Sequence, residues 1–135
     1  MSFVSNPELR ERGQKVLEEL YEGGLGGKMN AEYRAKSSDF ANMTLEWMMG
    51  GILARPGLDM KSREFVAFAL CVADGRIPDA VQAHAEALLR VGATKEEIYE
   101  TILMCLWYTG AAPVSMALSK LKPFFEEPSE SEKKG

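Results

Sequence analysis

DGRIPDAVQAHAEALLRVGATKEEIYE, Asp74 to Glu100, is the stretch on which the fold turns, because it spells out two helices and the joint between them. Pro78 opens the first, at a position where its missing N–H costs nothing. Gly92 stops it, as a residue able to take the left-handed turn that follows a helix. Thr94 and Glu97 then stand at the spacing of a capping box. The second helix runs from there through Ile98, Ile102, Cys105 and Leu106 to about Thr109. At about 100° per residue, Asp79, Gln82, Glu86 and Arg90 of the first helix form a narrow polar strip. His84, the single histidine of the chain, lies opposite. It is flanked by Val81, Ala85, Leu88 and Leu89 on one side and by Ala80, Ala83, Ala87 and Val91 on the other. The imidazole is therefore expected to face packed protein, and the alanines let another backbone come close.

The same signals recur outward along the chain. Asp59 is placed to cap a helix from Met60 to about Ala73. Its core, FVAFALCVA, is apolar on nearly every side and predicts a central, buried helix. Before it, RPGLD at Arg55 to Asp59 is a break, since Pro56 disfavours helix at Arg55. Asn6 and Pro7 open the first helix, with Val16, Leu17 and Leu20 as its apolar side. GGLGGK, Gly23 to Lys28, invites comparison with a phosphate-binding loop. That pattern needs glycine where Glu22 stands and Ser or Thr where Met29 stands, so a helix-to-helix connection is predicted instead. Asn30 to Lys36 and Ser38 to about Leu53 read as helix. In the latter, Phe40, Met43, Trp47 and Ile52 recur at near-helical spacing, and Trp47 is expected in the core. A last helix begins near Pro113 and carries Met116, Leu118 and Leu121. No strand pattern is evident, and short loops favour antiparallel neighbours. The class is all-α, a bundle of six to seven helices. Residues 1–34 form an N-terminal helix and glycine-rich connection, 35–125 the helical core, and 126–135 a polar tail expected to be disordered.

Composition narrows the function. The chain has 135 residues, 46% apolar and 27% charged, the balance of a soluble globular domain. A net charge of −4 gives no electrostatic reason to expect nucleic acid or an anionic membrane as partner. No apolar run has the length of a membrane span, and MSFVSNPELRERG does not read as a signal peptide. Cys71 and Cys105 lie far apart in apolar surroundings and read as free thiols in a reducing compartment, so cytoplasm is expected. No metal or cofactor is implied, because His84 has no neighbouring ligands at metal spacing.

A histidine on an apolar face has two readings. It can be a core side chain whose nitrogens are hydrogen-bonded within the protein. It can also be a general acid or base at the floor of a pocket, its pKa tuned by burial.

RPGLDMKSREFVAFALCVADGR, then AHAEALLRVGATKEEIYETILMCLWYTGAAPVSMAL, resemble the carboxymuconolactone decarboxylase family, relatives of alkylhydroperoxidase D, over roughly residues 35 to 122. The matching pieces are Arg55 to Asp59 with Arg63, HAEALLRVGATKEEI from His84, and YTGAAP from Tyr108. The resemblance implies a helical trimer or hexamer with sites near subunit interfaces. It also implies a cofactor-independent carboxy-lyase acting on a carboxylated lactone or related small acid. Losing CO2 leaves electrons that move into a carbonyl, so the site needs cations and a proton donor. Arg55 and Arg63 are expected to bind the carboxylate substrate, and His84 to deliver the proton. The peroxidase branch carries C-x-x-C seven and four residues before this histidine, where this chain has Ile77 and Ala80. A dithiol cycle is disfavoured accordingly. Decarboxylases of this kind read W-G-E-x-W-x-R before the arginine. Here Gly51 stands at the glutamate position and Leu53 at the second tryptophan, which leaves His84 without that acidic partner. A non-catalytic oligomer that kept the fold is the alternative.

Overall fold

The computed structural model describes residues 3–128, and every element in it is helical. In chain order these are α1 (Pro7–Leu20), α2 (Leu25–Lys36), α3 (Ser38–Met43), a π-helical segment (Thr44–Leu53), α4 (Met60–Asp74), α5 (Pro78–Arg90), α6 (Lys95–Thr109), α7 (Ala111–Lys120) and α8 (Lys122–Glu126). No described helix is long and apolar enough to cross a membrane. Most of the polar tail, residues 129–135, lies outside the described residues.

Local signals set the helix starts. Asn6 Oδ1 accepts from the Glu8 and Leu9 amides, both at 3.1 Å. Asp59 accepts from the Ser62 amide at 2.9 Å. Both halves of the Thr94–Glu97 capping box form, at 2.9 and 3.0 Å. Each such cap satisfies amides that the first helical turn leaves unpaired.

α5 is the spine. On one side Val81, Ala85 and Leu88 join Phe68 and Val72 of α4, Ile98 and Ile102 of α6, and Leu121 in a fully buried cluster. On the other, Ala87 meets Val16, Leu20 and Tyr21 at the end of α1, with Met49 and Leu53 packed around them. His84 sits between the two clusters.

Three expectations change. Of the glycine-rich stretch, Gly23 and Gly24 form the connection, whereas Leu25 to Lys28 already belong to α2. Gly26 lies so close to Tyr21 that a β-carbon there would come within 2.8 Å of the ring, so glycine is what allows the helix to cover this side chain. The stripe Phe40, Met43, Trp47 and Ile52 is the outer face; Trp47 is 65% exposed, while Ala41, Thr44, Leu45 and Glu46 are buried. From Thr44 on, winding with i→i+5 hydrogen bonds changes which residues share a face, so counting at 3.6 residues per turn misplaces Trp47. Helix α4 also departs from expectation. Phe68 and Val72 are buried, but Val66 and Leu70 are open.

The π-helical segment crosses α1 at a pair of glycines. A β-carbon on Gly13 would overlap the Leu45 carbonyl, and one on Gly50 would overlap the Leu9 carbonyl. Buried Glu46 ties the same crossing by accepting from Ser5 Oγ at 2.9 Å and from the Asn6 amide. Gly13→Ala should therefore force the helices apart at a cost of about 3 kcal/mol, read as a fall in Tm of about 10 °C. Gly51→Ala is the control. Its β-carbon would meet nothing nearer than the Glu46 carbonyl at 3.6 Å, and Tm should hold.

Candidate active site

Three helices converge on one imidazole. From α4, Glu64 points inward between the apolar clusters and is completely buried. From α5, His84 presents Nδ1 to Glu64 Oε2 at 2.7 Å. From the end of α1, Tyr21 donates its hydroxyl to Glu64 Oε1 at 2.6 Å. The Tyr21 ring also packs edge-on against the imidazole, with centroids 5.7 Å apart. Both oxygens of the carboxylate thus have partners, which a buried charge requires.

The electrostatics follow from burial and pairing. Desolvation pulls the His84 pKa down, but contacts with Cys71 and Glu64 more than offset it and raise it to about 9. Tyr21 moves far upward, first through burial and then through the charge and hydrogen bond of Glu64, so it stays a donor. At neutral pH His84 is therefore an imidazolium held at Nδ1 by Glu64. Its other nitrogen, Nε2, makes no hydrogen bond to the described residues.

That ring borders a cavity of about 280 Å³, and 20% of the His84 side chain remains exposed. Helix α2 contributes Met29, Asn30 and Tyr33 to the wall, and the π-helical segment contributes Met48, Met49 and Ile52. Among the described residues, no group of three or more His, Cys, Asp or Glu is placed to hold a metal. The arrangement is an acid–base dyad opening on an apolar hollow, suited to moving one proton to or from a small molecule.

Of the residues singled out from sequence, His84 lines this cavity and the two arginines do not. Arg55 is exposed in the turn before α4. Arg63 donates to the Leu58 and Arg55 carbonyls, both at 3.0 Å, and so braces that turn. The acidic partner that Gly51 left missing is Glu64, one residue after Arg63. Glu46 serves the α1 crossing instead, and Glu86 accepts from the Leu25 amide at 3.1 Å at the start of α2. Tyr21→Phe keeps the ring but strips a charge-assisted donor from buried Glu64. It should cost about 1–3 kcal/mol in denaturant unfolding.

An all-helical chain with a buried glutamate–histidine pair at an apolar pocket is what fold and site together define. Residues 39–122 match the model of the carboxymuconolactone decarboxylase family, and the chain belongs to that family. It is 32% identical over 91 residues to the 4-carboxymuconolactone decarboxylase of Acinetobacter baylyi, which covers 67% of each chain. It is 34% identical over 108 residues to the alkyl hydroperoxide reductase AhpD of Corynebacterium aurimucosum, covering 74% of this chain and 60% of that one. The AhpD of Corynebacterium kroppenstedtii is 31% identical over 114 residues, 78% of this chain and 64% of its own. The chain thus spans about two thirds or less of these relatives. Tyr21, Met29, Asn30 and Tyr33 come from helices that precede the matched family segment.

Proposed function

We propose that this protein is a cofactor-independent lyase that removes CO2 from a small organic acid, with His84 returning the proton. The observation that carries this is the 2.7 Å contact between Glu64 and His84 Nδ1 on a ring that borders the apolar cavity. The C–C bond to the carboxylate breaks, and its electron pair moves into an adjoining carbonyl as an enolate. The imidazolium then hands its Nε2 proton to carbon, and neutral imidazole regains a proton from water. Glu64 keeps the ring charged in advance, and the methionine-rich wall keeps water from competing for the enolate. The name of the Acinetobacter relative supports a carboxylated lactone as the substrate type. Arg55 and Arg63 do not line this cavity within a single chain.

The test is CO2 release from a panel of carboxylated lactones and β-keto acids, with no metal or cofactor added. Silence across the panel would favour the alternative, a family member that kept the fold without the activity, for which Gly51 is the sequence feature. A thiol peroxidase is the weaker alternative suggested by the AhpD relatives. With Ile77 and Ala80 at the expected cysteine positions, no dithiol is available to cycle. Peroxide turnover that survives removal of both Cys71 and Cys105 would exclude thiol chemistry.

A homo-oligomer, trimer or hexamer, is part of the same proposal. Val66 and Leu70 of α4 and Met104, Trp107 and Tyr108 of α6 are open apolar side chains on helices that pack together, and Trp107 is 85% exposed. Patches of this kind mark association surfaces. Trp107→Glu should shift the mass measured by light scattering toward the monomer. Free thiols at Cys71 and Cys105 suit a cytoplasmic setting.

A further inference from the structure

Decarboxylation through an enolate asks for two donors. One gives a proton to carbon, and the other holds the oxygen that takes up the electron pair. His84 Nε2 fills the first role. Most other polar groups on the cavity wall are already engaged. The Tyr21 hydroxyl is given to Glu64, and the Thr44 hydroxyl to the Ala41 carbonyl at 2.8 Å. The Asn30 carbonyl oxygen is buried below the accessible surface, and Asn30 is shared with a second hollow lined by Gly27 and Ala31. The Tyr33 hydroxyl makes no hydrogen bond to the described residues, and Tyr33 lines the same cavity as His84.

The helix explains the placement. Gly26, Met29, Asn30 and Tyr33 all line the cavity. They fall at i, i+3, i+4 and i+7, so one face of α2 is laid over it. A long helical side chain leans back over the turn before it, which directs the Tyr33 ring over Met29 and Asn30. Phe40 of α3 backs that ring, with centroids 4.8 Å apart. At about 280 Å³ the cavity is roughly twice the ~150 Å³ void that takes up benzene, small enough for one ring-sized molecule to reach both Tyr33 and His84. A phenol is a stronger acid than a carboxamide and so the better donor to an enolate oxygen. These are groups that the chain itself supplies, and a second copy at the mouth would add to them.

We propose that Tyr33 is a second catalytic residue of this site, its hydroxyl donating to the substrate carbonyl oxygen as that oxygen takes on the enolate charge. This rests on the lyase assignment for the His84 site and deepens it. The bond to the carboxylate breaks, CO2 departs, and the electron pair comes to rest on the carbonyl oxygen. Tyr33 holds that oxygen and keeps its own proton. His84 Nε2 then protonates carbon, the carbonyl re-forms, and water restores the imidazolium. Atoms and charge balance without an oxidant or a reductant. Tyr33 lies on α2, ahead of the segment matched by the family model.

Tyr33→Phe keeps the ring and its packing on Phe40, and the test uses the full-length protein in the assembly it forms. For CO2 release from β-keto acids, kcat should fall roughly a hundredfold with KM nearly unchanged, because the donor tightens only as charge develops. A second readout needs no turnover. 4-Nitrophenolate, a ring bearing a stable oxyanion, and 4-nitrotoluene, its neutral counterpart, are titrated by calorimetry at pH 8, where the first is ionised and His84, with a pKa of about 9, is still charged. Tyr33→Phe should weaken the phenolate roughly tenfold and leave nitrotoluene within about twofold. Its Tm and its mass by light scattering should stay those of the wild type. Equal losses on both probes would make Tyr33 structural, and unchanged phenolate affinity would mean that it donates nothing; either overturns the proposal. So does a wild type that ignores the phenolate at millimolar concentration, or a phenolate loss in Asn30→Ala that Tyr33→Phe does not show. Phenolate binding that depends on Tyr33, with no CO2 release from any acid tried, would sink the lyase assignment and leave the oxyanion donor standing. CO2 release undiminished in Tyr33→Phe would sink this proposal alone.

Discussion

His84→Asn is expected to lower kcat/KM for decarboxylation by roughly 10²- to 10⁴-fold, the usual worth of a positioned general acid. Asparagine keeps a polar side chain near Glu64 and can still donate to it, so the fold and oligomer should survive. What it cannot do is carry a proton that leaves for carbon. The loss should fall mainly on kcat, because the proton is delivered after substrate is bound. The variant should also lose a pH dependence of stability. The raised His84 pKa, about 9 against an ordinary 6.5, means that the folded state holds this proton more tightly than the unfolded chain. That stabilisation is fully present below pH 6.5 and is lost as pH rises through 9. It amounts to about 3 kcal/mol. Denaturant unfolding across that window should show the decline in the wild type and not in His84→Asn. The titrating groups that face the ring are Glu64 and Cys71 from α4 and Tyr21 from α1.

Glu64→Gln should be nearly as damaging by another route. The amide can still accept from Nδ1–H, so the ring keeps its orientation. Without the negative charge, burial is opposed by the Cys71 contact alone, and the His84 pKa should fall from its raised value. At pH 7 a smaller share of the rings is charged, and activity should drop accordingly. The optimum should move to acid, where the ring is charged again, and part of the lost rate should return there. Recovery on acidification separates this variant from a misfolded one. It also separates Glu64, which tunes and positions His84, from a residue that touches substrate.

What could be seen in the sequence was local. Asn6, Asp59, Thr94 with Glu97, and Pro78 with Gly92 each act within one helical turn, so spacing alone located the helix ends. The inward side of α5, and with it the direction of His84, followed from a single periodicity. What could not be seen was set by tertiary contact. Glu64 sits at the start of an apolar run and meets His84 twenty residues later along the chain. Tyr21 reaches the pair only because α1 crosses the π-helical segment at Gly13 and Gly50. A carboxylate directly before the apolar run that begins at Phe65 was the one signal that could have pointed to Glu64. The outward face of the π-helical segment was misassigned because its winding was not that of an α-helix. The apolar-all-round signature of α4 promised a buried helix, whereas its Val66 and Leu70 face outward.

The most direct test of the account is the NMR titration of the His84 ring in the ligand-free protein, where the single histidine assigns itself. A midpoint near 9 in the wild type, clearly lower in Glu64→Gln, is the predicted result. A wild-type midpoint at or below the ordinary 6.5 would contradict it, because the ring would then be neutral at pH 7 and could not serve as the acid.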